Sequence, residues 1–214
     1  MFLIKYIFIP LYPNYKNNLM HKILPIAKVA ALALTLVLTV SWMGVVKFSN
    51  KAHQMTISGT SNLHDWSTKV GQIQLHAEME LVNGFVSSVG MVSLSARVES
   101  IKSDKGSVMD NKTKEALKGD KHPVITYRLK QVAISEQKNK TSLLKTEGTL
   151  NIAGVSKQVK MDVYARQLPN GEVEVWGGND IKMSDYGMKA PTALMGSIKT
   201  GDAVQVTFSV ILKK

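Results

Sequence analysis

The chain contains no cysteine. That absence excludes a disulfide framework, a lipid-modified N-terminal cysteine and any thiolate metal site. It leaves export open, because an oxidising compartment permits disulfides without requiring them. Histidine is scarce too, and the five at 21, 53, 64, 76 and 122 show no H-x-x-x-H or similar ligand spacing, so no metal centre is expected. Aromatic residues make up only 7% of the chain, and the lysines of the body are scattered rather than stacked with them, which argues against nucleic-acid recognition. Acidic residues are outnumbered, 16 against 27 Lys and Arg, for a net charge of +11. Part of that excess is local. Residues 1–50 hold five lysines and no acid, so 22 basic against 16 acidic residues leave the body at +6. Those charges fall at strand ends and turns, the pattern of a solvated surface with at most a weak attraction to anionic head groups.

Long apolar runs are missing except for Val29 to Val46, which lies uncharged between Lys28 and Lys47. Eighteen residues is the lower limit for crossing a hydrocarbon core of ~30 Å. Thr39-Val40-Ser41 puts small residues where a signal peptidase would cut, after Ser41, and leaves Val29 to Leu38 as the apolar core of an export signal. Met20-His21-Lys22 through Lys28 is a basic lead-in, so Met20 is an alternative start. The expected organisation is therefore a leader over residues 1–50 and one domain over 51–214, since no linker interrupts the body. The expected location is periplasmic or secreted, with membrane contact during export. An uncleaved signal segment anchoring the protein is the alternative.

From residue 55 the dominant hydrophobic period is two. The pattern predicts eight strands, at 55–63, 69–82, 85–101, 123–134, 142–152, 157–168, 171–183 and 203–213, with one short helix at 107–118 between strands three and four. In that helix Ser107 is the expected cap, Asp110 the acidic half of a capping box and Gly119 the stop. Met109, Thr113, Ala116 and Leu117 share one face, as a plug over a barrel end would. An even number of up-and-down antiparallel strands can pair first with last, which removes exposed edges. The expected fold is thus an all-β, eight-stranded barrel, whose interior side chains just fill or which holds one small ligand.

Two turns test the register. If Asn83-Gly84 is a two-residue hairpin loop, Leu81 faces Val86, Leu75 faces Val92 and Ile73 faces Leu94. Ala77 then meets Gly90 and Met79 meets Ser88, which thins the inner wall there, unless Gly90 marks a bulge. Pro169-Asn170-Gly171 suits a three-residue loop with Gly171 left-handed, which sets Ala165 against Val175 and Val163 against Gly177. The tight turns share one end, and His64-Asp65-Trp66, the helix and the Ser184 to Thr200 loop share the other, the expected mouth. Candidate lumen residues are then Ile73, Leu75, Met79, Val92, Leu94 and Val163, with Trp66, Tyr186, Met188 and Met195 at the entrance.

Four stretches, Ile57-Ser58-Gly59-Thr60-Ser61-Asn62-Leu63-His64-Asp65-Trp66, Met109 to Leu117 with Lys121-His122-Pro123-Val124-Ile125-Thr126-Tyr127, Gly148 to Lys157, and Met183-Ser184-Asp185-Tyr186-Gly187-Met188, resemble in order and spacing the YceI-like family of secreted lipid-binding proteins. That resemblance implies a lipocalin-like barrel whose lumen takes a long isoprenoid or similar amphiphile, with no catalytic motif and no cofactor beyond such a lipid.

Other readings of the residues compete with it. His64-Asp65 invites a general base oriented by a carboxylate, but no nucleophile is fixed beside the pair, so an enzyme using the cavity is the weaker expectation. Backbone bonding by His64 and Asp65, with Trp66 closing the barrel end, is the plainer reading. Met79, Met161, Met183, Met188 and Met195 suit an adaptable lipid-binding wall or simple core filling. Lys157, Lys182, Lys189 and Lys199 are either head-group contacts or surface lysines. A structural barrel with a side-chain-filled lumen is the second functional reading.

Overall fold

The computed structural model describes residues 44–214, without the side chains of 136–138. The expected cleavage after Ser41 and the alternative start at Met20 lie outside the described residues. Eleven strands form one sheet: β1 Val46–Ser61, β2 Trp66–Val70, β3 Ile73–Val82, β4 Phe85–Arg97, β5 Ile101–Ser103, β6 Val124–Lys138, β7 Thr141–Ile152, β8 Val155–Gln167, β9 Val173–Lys182, β10 Thr192–Ala193 and β11 Ile198–Lys213. Eight of them close a barrel, in the circuit β1-β3-β4-β6-β7-β8-β9-β11 and back to β1, each pair antiparallel.

Two expected strands are bent. The strand expected at 69–82 divides into β2 and β3, and the one at 85–101 divides into β4 and β5 around a 3-10 turn at Val98–Ser100. The corner is pinned by the Gly71 amide donating to the Ser100 carbonyl at 2.9 Å and the Gln72 amide donating to Ser100 Oγ at 3.0 Å. Helix α1, Ser107–Ala116, therefore follows β5 and precedes β6; its expected place directly after the third long strand is corrected. Its capping differs as well. Gly106 is the N-cap, and Asp110 Oδ1 instead accepts from the Ser103 amide at 2.8 Å, tying the helix back to β5. At the other end Lys118, not Gly119, is left-handed, at φ 52°.

β1 starts at Val46, earlier than expected, and brings Phe48 into the core opposite Ala77. Lys47 and Ser49 flank it, but this alternation runs into the apolar leader, which hides it in the sequence.

The Pro169-Asn170-Gly171 register is as expected: Val163 pairs with Gly177 and Ala165 with Val175, and Gly171 is left-handed at φ 82°. A Cβ at Gly171 would meet nothing within 4 Å, so any penalty there is purely conformational. Gly171→Val is expected to lose about 1–2 kcal/mol, read as a lowered urea midpoint at constant slope. An unchanged midpoint would show that the turn does not need its left-handed residue.

The Asn83-Gly84 turn also forms, with Leu81 opposite Val86, but the register drifts beyond it. Bulges between Glu80 and Leu81 and between Ala77 and Met79 place Met79 opposite Val89, Ala77 opposite Val92, Leu75 opposite Leu94 and Ile73 opposite Ala96. Each bulge adds one residue to β4 and switches the face its side chains present. Ser88 and Gly90 are exposed, and a Cβ on Gly90 would touch Glu78 on the outer wall. The expected thin inner wall at Ala77, Ser88 and Gly90 is reduced to Ala77.

Candidate functional site

The barrel is filled at one end and hollow towards the other. Phe48, Val86, Ser142, Val173, Val210 and Leu212 are completely buried at the tight-turn end. Ser142 Oγ accepts there from the Val86 amide at 3.0 Å, so even this buried hydroxyl is bonded. Above that floor lies a cavity of about 260 Å³. Its walls are alternate residues of the strands, among them Leu75, Val92, Ile125, Leu150, Val163 and Phe208, and α1 closes over it with Thr113, Ala116 and Leu117. Several of these wall residues are only partly buried, the signature of side chains that face empty lumen rather than one another.

Among the described residues no Asp, Glu, Lys, Arg or His lines the cavity, and no cluster of His, Asp and Glu is placed to hold a metal ion. The polar groups on the wall are Thr68, Thr113, Tyr127, Thr146 and Asn179. The Tyr127 ring lies over Gly148, where a Cβ would collide with it, so the glycine is what lets the ring lean along the wall. Burial pushes the Tyr127 phenol up, opposed by the neighbouring Thr146 hydroxyl. Thr146 itself donates to the Met161 carbonyl at 2.9 Å, and Tyr127 Oη, like Thr68 Oγ1, has no partner of hydrogen-bond geometry.

Most of the sequence-derived candidates meet here. Leu75, Met79, Val92, Leu94 and Val163 line the cavity, with Trp66 and Met188 at its loop-rich end. Ile73 and Tyr186 are buried in the core without reaching the cavity. Met195 is fully exposed at a loop tip, because the left-handed backbone there throws it outward. Met55, Ile57, Tyr127, Leu150, Val206 and Phe208 also line the lumen and were not singled out from sequence. Their signal was the same period of two, in strands whose register no tight turn tested.

Trp66 closes the mouth beside Gly59, its Nε1–H donating to the Thr60 carbonyl at 3.0 Å. The neighbouring turn is a backbone structure: Ser61 Oγ accepts from the Leu63 and His64 amides at 3.2 and 3.1 Å. The His64 ring meets the Asp65 carbonyl at 2.8 Å, not its carboxylate, so the two side chains form no oriented base. Across the mouth, the Ser184 hydroxyl and amide donate to Asp202 at 2.6 and 2.8 Å and hold its carboxyl below the usual range. This clamps the 3-10 turn Met183–Tyr186, which presents Met183 to the lumen. Lys157, Lys182, Lys189 and Lys199 are all exposed.

A model of the YceI-like domain matches residues 32–212. Among solved structures, Burkholderia cenocepacia BcnA is similar with a TM-score of 0.58 at 15% identity, covering 74% of this chain and 95% of its own. A polyisoprenoid binding domain from Saccharophagus degradans is similar with a TM-score of 0.61 at 14% identity, covering 79% and 99%. Campylobacter jejuni YCEI protein is similar with a TM-score of 0.54 at 19% identity, covering 69% and 84%. At such identities the likeness is one of fold. No curated protein matches the chain.

Proposed function

The chain belongs to the YceI-like family, and we propose that it is an exported binding protein, periplasmic or secreted, that holds an isoprenoid-like or other amphiphilic lipid in its barrel. The observation that carries this reading is the cavity itself, closed below by packed side chains and walled almost entirely by apolar groups. Such a space offers burial of hydrocarbon, worth ~0.8 kcal/mol per methylene, and offers no charged group for chemistry. The few polar groups on the wall expose almost no surface to the lumen, which favours a ligand whose buried part is hydrocarbon. The fold shared with a polyisoprenoid binding domain supports the same class of ligand.

Ala77 tests the reading because it is small, buried and on the cavity wall. In a titration of delipidated protein with a fluorescent prenyl probe, Ala77→Phe is expected to bind at least ~10-fold more weakly, a loss of ~1.4 kcal/mol. Overpacking costs ~1–3 kcal/mol of stability, so Leu94→Trp provides a second way to fill the lumen. Wild-type affinity in a folded variant of either kind would refute lumen binding and favour a structural barrel.

A further inference from the structure

We infer that the loop-rich end of the barrel docks on a phospholipid bilayer containing anionic lipid, with Leu63, Leu194 and Met195 entering the membrane. These three are among the most exposed large apolar residues described, Leu63 at 64% and Leu194 at 72%, with Met195 wholly exposed. They belong to two turns that are joined side by side. Asn62 Nδ2 donates to the Ser197 carbonyl and Asn62 Oδ1 accepts from the Lys199 amide, both at 2.8 Å, and the Asn62 amide donates to the Lys199 carbonyl at 3.1 Å. The aliphatic side chains thus project from one fixed rim and not from independent loops.

The backbone of that rim is also unusual. Leu194, Met195 and Gly196 are consecutively left-handed, at φ 47°, 53° and 91°. Every other described non-glycine residue with positive φ is small or polar: Asn83, Lys118, Asn139, Lys140 and Ala153. Asn tolerates this conformation through local hydrogen bonds, whereas Leu and Met gain nothing from it in water. Strain and apolar exposure at the same two residues contribute nothing to folding, and together they mark an interaction site.

The partner is a bilayer because of what surrounds the tip. Residues 182–200 carry three lysines, Lys182, Lys189 and Lys199, against one acid, Asp185. Asp65 on the adjoining turn is a second acid, and Asp202 is engaged by Ser184. A short apolar tip with exposed lysines beside it is suited to the boundary between acyl chains and anionic head groups. Pro191 and Met188, on the same segment, line the lumen. A docked tip would therefore set the mouth against the bilayer and spare a lipid the passage through water. The docking goes beyond lumen binding and stands without it.

The cysteine-free chain takes a single label cleanly. The full chain carrying Met195→Cys with an environment-sensitive fluorophore is mixed with vesicles of phosphatidylcholine and a minor share of phosphatidylglycerol. Its emission is expected to shift to the blue and to be quenched by doxyl groups on the acyl chains. The same label at Asn170→Cys, at the tight-turn end, is expected to show neither. Attachment through the N-terminal apolar segment alone would leave the Met195 label in water and overturn the inference, as would equal quenching at both positions. Adding Leu63→Ser and Leu194→Ser to the Met195-labelled chain is expected to reduce quenching several-fold, with the near-ultraviolet circular dichroism unchanged. Undiminished quenching in that variant would overturn the assignment of these side chains.

Discussion

Stripping lipid from the barrel is expected to lower its melting temperature by about 10 °C or more, with recovery when a prenyl lipid is returned. The magnitude comes from the void. An enclosed apolar void of about 260 Å³ would cost about 6 kcal/mol at ~24 cal/mol per Å³ relative to a filled one, which is the upper bound for a lumen that opens at a mouth. That is a large share of the ~5–15 kcal/mol that stabilises a typical domain. Water cannot relieve it, because the wall offers few polar partners and those it has are dispersed among apolar side chains. Scanning calorimetry of native, delipidated and reloaded protein measures the effect. Identical melting of the native and delipidated forms would mean that the lumen collapses without loss, or was never occupied.

Phe48→Ala is expected to cost about 3–5 kcal/mol, the range for emptying a fully buried aromatic site. Phe48 is 2% exposed and sits in the packed floor beneath the cavity, paired across strands with Ala77, whose small side chain cannot close the gap. Its neighbour provides the control. The Lys47 side chain is 86% exposed and its ion pair with Glu78 is long, at 4.0 Å, so Lys47→Ala should change stability by less than ~0.5 kcal/mol. Urea unfolding of the two variants decides whether the barrel begins at Val46 or later. A loss of less than ~1 kcal/mol for Phe48→Ala would place this segment outside the cooperative fold.

That first strand shows where the sequence was legible and where it was not. Alternation is readable only against a contrast, and Lys47-Phe48-Ser49 follows an uninterrupted apolar run, so strand and leader merge. Turn chemistry was the most dependable guide, as Pro169-Asn170-Gly171 set both its loop length and the pairing of Val163 and Ala165. Asn83-Gly84 set its own hairpin closure equally well, yet Ser87 and the Gly90-Met91 region absorb two bulges that no turn residue announces. Bulges answer to curvature around the closed barrel, a property of all eight strands together. Leu75, Met79 and Val92 nevertheless kept their inward phase, because two one-residue slips restore the original parity. The site followed the same logic: inward strand positions such as Leu94 and Val163 were readable from period two. Loop positions were not, since Met195 is aimed by backbone dihedrals that composition does not reveal. Tyr127 joined the wall only when closure set its ring over Gly148, a pairing across β6 and β7 that no turn announces.

Native mass spectrometry of the protein purified without detergent from the cells that make it tests the central claim most directly. The expected spectrum shows the folded chain carrying one lipid-sized adduct that leaves on collisional activation and is identified, after extraction, as a long apolar chain with a polar end. A spectrum of bare protein only, from material that also yields no extractable lipid, would contradict it.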